Sequence, residues 1–189
     1  MAKKVITQVN IKDYKEENLV RFVENNDLKK KTIYIKTFDE FFIMSPQIGY
    51  DWLIPIKKLR DKIDEIVSLL GSKAIGIHIR RTDNSIAIEA SPIELFTNKI
   101  QEDIEKNPQT KFFLATDDKD VKSSLMECFE GKVYAMDCVL NRDLREGMEA
   151  SVIDLFVLSK MTLLYGSHWS SFSEEAAKIG AIELKVLHI

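Results

Sequence analysis

The chain has 189 residues, the length of one ordinary domain or of one large domain with an appendage, which excludes a multidomain machine. Hydrophobic residues make up 45% and charged residues 30%, with 7 glycines and 4 prolines, so the composition is that of a packed globular protein and not of a disordered one. The net charge of -3 provides no excess of positive charge that would attract nucleic acid through its phosphates.

Cysteine and histidine are scarce. Two cysteines, Cys128 and Cys138, with three histidines, are too few for a disulfide scaffold or a tetrahedral zinc site, so we expect reduced thiols and no metal. The segment after Met1 lacks the apolar core of a secretory signal, and no apolar run approaches the roughly 18 residues that a membrane span requires. We therefore expect a cytoplasmic protein without a membrane span.

Residues 1–70 are predicted to form a reduced N-terminal segment and a linking helix. Lys4–Ile11 and Thr32–Phe38 have the pattern of strands, separated by a helix around Tyr14–Asn25, and together they could form one βαβ unit. The linking helix is predicted over Pro55–Leu70, and one of its faces carries Ile56, Leu59, Ile63, Ile66 and Leu70. We place the domain boundary after residue 70.

Residues 71–189 alternate between short apolar runs and stretches with helical spacing, which is typical of an α/β fold with a parallel sheet between helices. Five strands are predicted, at residues 74–79, 111–115, 132–136, 162–165 and 182–187. Ser91, Pro92 and Glu94 have the spacing of a capping box, which predicts the start of a helix after a polar loop. Further helices are predicted around residues 121–129, 146–161 and 174–179, with Gly166 ending the fourth strand and Gly180 the last helix. This order predicts a Rossmann-like sheet with helices on both faces.

An arginine pair follows the first of these strands, in the run Ile77-His-Ile-Arg-Arg-Thr-Asp83. The chain has no Gly-x-Gly-x-x-Gly or Walker motif, so a bound nucleotide would need another device to hold its phosphates. Since consecutive side chains of an extended segment point to opposite sides, one of Arg80 and Arg81 can reach the crevice while the other anchors the loop. Alternatively, both arginines pair with nearby carboxylates such as Asp83.

Three further motifs accompany the arginine pair, namely Leu114–Asp118, Ile153–Ser159 and Ser167–Ser173. In their order and spacing, the four motifs resemble the donor-nucleotide domain of the α-1,6-fucosyltransferases, and they are similar to the bacterial nodulation fucosyltransferases and the protein O-fucosyltransferases. The resemblance runs from about Lys73 to the C-terminus. It implies an inverting, metal-independent transfer of a sugar, usually fucose from GDP-fucose, to an acceptor hydroxyl in a two-domain GT-B-like fold.

The resemblance implies catalytic roles near the arginine pair. Departure of GDP leaves negative charge on the β-phosphate, which cationic donors must stabilise where no metal does so. Arg80 is the candidate, supported by Arg81 and His78, although His78 is as readily explained as a hydrogen-bonded core histidine. Glu89, in the predicted polar loop, is the candidate general base for the acceptor hydroxyl. Asp83 is the alternative base, although holding the arginine loop suits it better.

The remaining candidates bind the donor. Asp117 and Asp118 match the family's acidic pair, with helix capping as the alternative explanation. Asp154 lies in an apolar helical run where a buried carboxylate needs a partner, and guanine N–H groups would suit it; alternatively, it occupies a polar stripe of the helix. Ser170 and Ser171 could hold a phosphate with their hydroxyls and backbone N–H groups, and the sequence does not decide between them.

The chain departs from the family in its first half. Such enzymes carry a Gly- and Arg-containing motif in a complete first domain, which residues 1–70 lack, and two domains of this type need on the order of 300 residues. We therefore expect a fragment, a reduced non-catalytic module that binds a nucleotide sugar, or a protein that completes its cleft as a homodimer. Its expected partners are a nucleotide sugar and a carbohydrate or glycoconjugate acceptor, with no nucleic acid. Trp169 is expected to pack either on the base or in the core.

Overall fold

The computed structural model describes residues 50, 52–82, 85–141 and 143–189. The predicted elements within residues 4–38 and the candidate Asp83 lie outside these residues, and the boundary after residue 70 stays a prediction. The described elements, in chain order, are α1 (Lys57–Leu70), β1 (Ile75–Ile79), α2 (Ser85–Ala90), α3 (Ile93–Lys106), β2 (Phe112–Thr116), α4 (Lys119–Cys128), β3 (Val133–Tyr134), α5 (Arg145–Leu158), β4 (Leu163–Ser167), α6 (Ser171–Gly180) and β5 (Glu183–Leu187).

The five strands form one parallel sheet in the order β3-β2-β1-β4-β5. Ile77, at the centre of β1, lies opposite Leu114 of β2 and Tyr165 of β4. Strands β2 and β3 therefore follow on one side of β1, and strands β4 and β5 follow on its other side. This order confirms the predicted Rossmann-like α/β fold, and it creates a switch point between β1 and β4, where open α/β sheets bind ligands at their carboxyl ends.

Each face of the sheet is covered by its own hydrophobic core. Helices α3 and α4 cover one face through Phe96, Ile100 and Leu125, which pack with Ile77 and Phe112 of the strands. The other face is covered by α1, α5 and α6, whose buried residues include Ile63, Val157, Leu158 and Ala176. Both faces of the central strands are thus removed from water, which explains why their sequences are nearly continuous apolar runs.

Helix α1 packs against α5 and belongs to the compact unit formed by residues 46–189. Leu59, Ile63 and Leu70 of its predicted apolar face are buried. Ile56 is 60% exposed, in contrast to the prediction, because it precedes the helix in an extended conformation and does not share the helical face. Among the described residues, no helix is both long enough and apolar enough to cross a bilayer.

Four local predictions were wrong. Ser91 does not cap α3, which begins at Ile93 with Pro92 at the N-cap position and no side-chain capping bond. The polar loop that carries Glu89 is the short helix α2. Gly166 lies inside β4, where a Cβ atom would stand 2.7 Å from Ser173 Oγ, so the glycine permits the close approach of α6 instead of ending the strand. Gly180 belongs to α6, and Ala181, with φ at 48°, follows the helix in the left-handed conformation.

Candidate functional site

The loops that follow β1 and β4 are joined at the switch point. Arg80, the first residue after β1, donates its backbone N–H to Ser167 Oγ at the end of β4, over 3.1 Å. These residues belong to two motifs that are 87 positions apart in sequence. Because β1 and β4 are adjacent parallel strands, the fold brings the arginine motif and the serine-rich motif to one edge of the sheet.

Arg81 anchors its loop from within the protein. Its Nη2 donates to the carbonyl oxygen of Ser91 over 2.7 Å, and its Nη1 to that of Arg80 over 3.3 Å. Burial lowers the pKa of the guanidinium from its ordinary value, opposed by the nearby carboxylates of Asp118 and Asp117. The side chain of Arg81 is therefore engaged in holding the backbone.

Arg80 lies at the carboxyl edge with 24% of its side chain exposed. Its Nε is 4.0 Å from Asp117 Oδ2, so pairing with a carboxylate, the alternative considered for the arginines, does occur here. An ion pair at this distance and exposure is weak, since water screens it.

The two acidic residues after β2 have separate structural tasks. Asp117 accepts hydrogen bonds from the Arg81 N–H over 2.7 Å and from the Thr82 hydroxyl over 2.7 Å, so it holds the arginine loop in place. Asp118 caps α4, since its Oδ1 accepts from the N–H groups of Asp120 and Val121 over 2.8 and 2.9 Å. Both carboxylates therefore form hydrogen bonds within the protein, and those of Asp117 fix the positions of Arg81 and Thr82.

His78 and Ser170 connect the buried part of β1 to the start of α6. His78 is 6% exposed, and its Nδ1 lies 3.1 Å from Ser170 Oγ, while its ring packs on Phe172 with centroids 4.8 Å apart. Burial lowers the pKa of His78 to about 4, opposed by Asp117 and reinforced by Arg80, so the imidazole is neutral at physiological pH. Ser170 is the N-cap residue of α6, and the exposed Ser171 is its first residue. The first-turn N–H groups, which have no acceptor within a helix, thus lie at the switch point.

Asp154 lies on α5, at the β3 side of the sheet. Its Oδ1 is buried and has no hydrogen-bond partner within the described residues. Burial raises its pKa to about 7, opposed by Lys122 of α4, which donates its Nζ to the Met136 carbonyl oxygen over 2.9 Å. A buried carboxylate without a partner is costly. The charge that acts on Asp154, Lys122, belongs to α4 and is bonded to the segment after β3, and not to the Arg80 and Ser170 loops.

Glu89 lies on α2, at the β4 side of the switch point and away from Asp154. It is exposed, and α2 contacts β4. The end of α2 is attached to the C-terminus, because Ile189 donates its N–H to the Ala90 carbonyl oxygen over 2.9 Å. The carboxylate is therefore on a short helix that reaches from the arginine loop toward β4 and β5.

Ser91 is a site residue that the sequence analysis missed. It is fully buried, donates its hydroxyl to the Leu187 carbonyl oxygen over 2.6 Å, and accepts from the His168 N–H over 2.8 Å. Together with the Arg81 contact, these bonds join the loops that follow β1, β4 and β5. The only local signal, a serine before a proline at a helix start, indicates a cap, so nothing in the sequence pattern pointed to this role.

Two open clefts also escaped prediction. One of about 630 Å³ lies between α1, α5 and residues 136–139, and one of about 530 Å³ lies between α4 and residues 135–140. Both flank the segment that follows β3, close to the element that carries Asp154. Within the described residues, no three His, Cys, Asp or Glu side chains are grouped so that they could hold a metal ion.

No protein-family model matches the chain, and no curated protein sequence matches it. A structure of POFUT1 in complex with GDP has a TM-score of 0.50 and 10% identity, over 70% of this chain and 47% of that chain. NodZ alpha-1,6-fucosyltransferase co-crystallized with GDP has a TM-score of 0.45 and 23% identity, over 63% and 40% of the two chains. Fucosyltransferase NodZ from Bradyrhizobium has a TM-score of 0.46 and 22% identity, over 64% and 41%.

The chain thus spans less than half the length of these solved proteins. The similarity to POFUT1 shows a common fold over the larger part of this chain. The resemblance that the four motifs predicted is confirmed as a likeness of fold, to POFUT1.

Proposed function

We propose that this chain binds the GDP-sugar donor of an inverting, metal-independent glycosyltransferase, with fucose as the transferred sugar. The observation that carries the proposal is the meeting of the Arg80 and Ser170 loops at the switch point between β1 and β4, held by the Arg80 to Ser167 hydrogen bond. Ligands of open α/β sheets bind at this place. The class of donor is supported by POFUT1, which has been solved in complex with GDP and with GDP-fucose.

The pyrophosphate is assigned to Arg80 and to the N-terminus of α6. The Arg80 guanidinium is partly exposed, whereas that of Arg81 is used to fix the loop. First-turn N–H groups and the positive end of the helix dipole favour an anion. As GDP departs, these groups stabilise the charge that develops on the β-phosphate, and because Asp117 and Ser167 already position the loop, little reorganisation is needed.

The guanine base is assigned to Asp154. Guanine presents a ring N–H and an amino group side by side, which match the two oxygens of a carboxylate. The buried Oδ1 of Asp154 lacks a hydrogen-bond partner within the described residues, and a base that donated to it would offset the cost of its burial.

Transfer requires a base for the acceptor hydroxyl, and we assign this role to Glu89. The acceptor oxygen bonds to the anomeric carbon while the bond between that carbon and the β-phosphate oxygen breaks, and GDP leaves with the electron pair. The Glu89 carboxylate takes the hydroxyl proton. Its exposed position on α2, at the β4 side of the switch point, suits contact with a second substrate that arrives from solvent.

Calorimetry with GDP, UDP and ADP tests the proposal. We expect selective binding of GDP, and we expect Arg80→Ala to weaken it by about 100-fold, since a charge-assisted contact to phosphate is lost. Arg60→Ala, which removes an equal charge from the exposed side of α1, is the control and leaves affinity unchanged. Absence of binding to all three nucleotides, or equal affinity of the two variants, would refute the assignment of the donor site.

A non-catalytic module that binds nucleotide sugars is the second candidate. Glu89→Gln separates the two functions. If the chain catalyses transfer, the variant loses 100-fold or more of the turnover of GDP-fucose at unchanged GDP affinity, as expected on loss of a general base. Glu94→Gln, an exposed substitution on α3, is the control. Lack of turnover in the wild type, with GDP affinity intact, identifies the module.

A further inference from the structure

Three aromatic rings lie in a row at the β4 and β5 side of the carboxyl edge, with one pair stacked and the other tilted by 45°. The Trp169 ring stacks on His168 with centroids 5.5 Å apart and an interplanar angle of 18°. His168 in turn lies 5.4 Å from the ring of His188, which follows β5. Trp169 remains 64% exposed. We refer to these three residues as the aromatic stack.

The aromatic stack is held in place by the backbone. Trp169 has φ at 50°, in the left-handed region that a bulky side chain adopts only at a cost. The adjacent His168 donates its N–H to the buried Ser91 hydroxyl, which is bonded to Leu187 of β5. Core packing does not explain a strained tryptophan that is mostly exposed, whereas strained residues are frequent at ligand-binding positions.

The stack stands beyond the assigned phosphate site, on the side away from the assigned base site. Asp154 lies toward β3, the Arg80 and Ser170 loops lie at β1 and β4, and Trp169 with His188 lies at β4 and β5. A nucleotide that extends from Asp154 to Arg80 therefore points its sugar toward Trp169. Glu89 lies on the same side, because α2 contacts β4 and is bonded to Ile189.

We propose that the aromatic stack is a carbohydrate-binding subsite that takes a pyranose ring of the acceptor on the exposed face of Trp169. A pyranose has a flat face of C–H groups and a rim of hydroxyls, and the C–H face is complementary to the negative face of an indole. The subsite would then lie on the same side of the switch point as Glu89, the assigned base. This inference rests on the proposed function, since the direction of the donor follows from it.

Saturation-transfer NMR with GDP-loaded protein tests the subsite, with the methyl glycosides of glucose, galactose, N-acetylglucosamine and mannose as probes. At least one pyranoside is expected to bind, and Trp169→Ala is expected to weaken it about tenfold, the loss typical of one stacked aromatic contact. Trp52→Ala removes another exposed tryptophan, 72% exposed, and is the matched control with no effect. Trp169→Phe keeps a stacked ring and is expected to retain most of the binding.

The outcomes separate this inference from the proposed function. If Trp169 stacked on the guanine base, its loss would weaken GDP binding about tenfold. GDP affinity that stays within about twofold in Trp169→Ala therefore supports the subsite. A tenfold loss of GDP affinity in that variant would mean that the stack holds the base, which overturns the inference and leaves GDP binding intact. Failure of all four pyranosides to bind would overturn it as well. Failure of wild-type protein to bind GDP would instead overturn the proposed function.

Discussion

The switch point and the end of β3 differ in how their polar groups are satisfied. At the switch point, Asp117, Arg81 and Ser91 are linked by two hydrogen bonds of 2.7 Å each, and Ser91 is bonded in turn to Leu187 over 2.6 Å. At the end of β3, Asp154 Oδ1 is buried without a hydrogen-bond partner among the described residues, next to the segment flanked by clefts of about 630 and 530 Å³. The polar groups at the switch point thus have hydrogen-bond partners within the protein, whereas the buried carboxylate oxygen near β3 has none among the described residues.

The difference matches the two kinds of recognition assigned to them. Charge that develops on a phosphate is stabilised best by donors that are already fixed, as the arginine loop is. A base is selected by hydrogen bonds that only the correct ring supplies, so an unsatisfied buried acceptor gives discrimination, because the wrong ring leaves it unpaired. The following predictions test each half of this contrast, beginning with the largest effect.

Asp154→Asn is expected to change how stability depends on pH. The folded-state pKa of Asp154 is about 7 against an ordinary 3.8, so folding favours its protonated form, and its contribution to stability falls as pH rises from about 4 to 7. Asparagine resembles the protonated form and does not titrate. The variant should match the wild type near pH 4 and exceed it by about 4 kcal/mol at pH 8 in urea unfolding.

Two further measurements sharpen this prediction. Asp137→Asn, an exposed substitution near Asp154 in the segment after β3, should leave the pH profile unchanged. His78 provides the opposite dependence, because its pKa is lowered to about 4 and its stabilisation is lost as pH falls from 6.5. As pH falls, Asp154→Asn should therefore lose unfolding free energy through His78. In the wild type, the opposite effect of Asp154 offsets that loss, so its unfolding free energy should change little. Equal pH profiles for wild type and Asp154→Asn would contradict the unsatisfied state of this carboxyl.

Asp117→Ala is expected to cost about 3 kcal/mol of unfolding free energy, since the hydrogen bonds to Arg81 and Thr82 and the ion pair to Arg80 are all lost. GDP affinity should fall as well, because the arginine loop loses its support. Asp120→Ala, on the exposed first turn of α4, is the control for charge. A cost below about 1 kcal/mol would show that the loop is held by other means.

Ser91→Ala is expected to cost about 2 kcal/mol, because it leaves the His168 N–H and the Leu187 carbonyl oxygen without their partner. Thermal unfolding measures the loss, and Ser124→Ala on the exposed side of α4 serves as the control. Increased proteolysis near His168 should accompany it. If the two serine variants were equally stable, Ser91 would not link the three loops.

Asp118→Ala is expected to have the smallest effect, about 1 kcal/mol, which is the usual cost of losing an N-cap. GDP affinity should remain within about twofold of the wild type, since the carboxylate is bonded to the α4 backbone. Calorimetry on the variant measures this directly. A large loss of affinity would instead place Asp118 in the donor site, as the family resemblance implies.

Apart from the short helix α2, which was predicted as a loop, the sequence predicted the helices and strands after residue 70 with small errors at their ends. Apolar periodicity is a property of neighbouring residues, so it can be recognised without knowledge of the fold. Two of the wrong predictions share one cause. Ser91 and Gly166 were assigned from their neighbours in sequence as a cap and a strand breaker, whereas contacts with distant elements decided both of them.

The types of residue at the candidate site, above all the arginine pair after a buried strand, were determined by the sequence alone. Tertiary structure decided which of the two arginines is used internally, because Arg81 bonds to Ser91, and it decided that Ser91 is bonded to Leu187, 96 positions away. It also decided that β1 lies beside β4. Hydrogen-bond partners that are distant in the chain leave no periodic trace in it, so only the folded arrangement of the sheet reveals them.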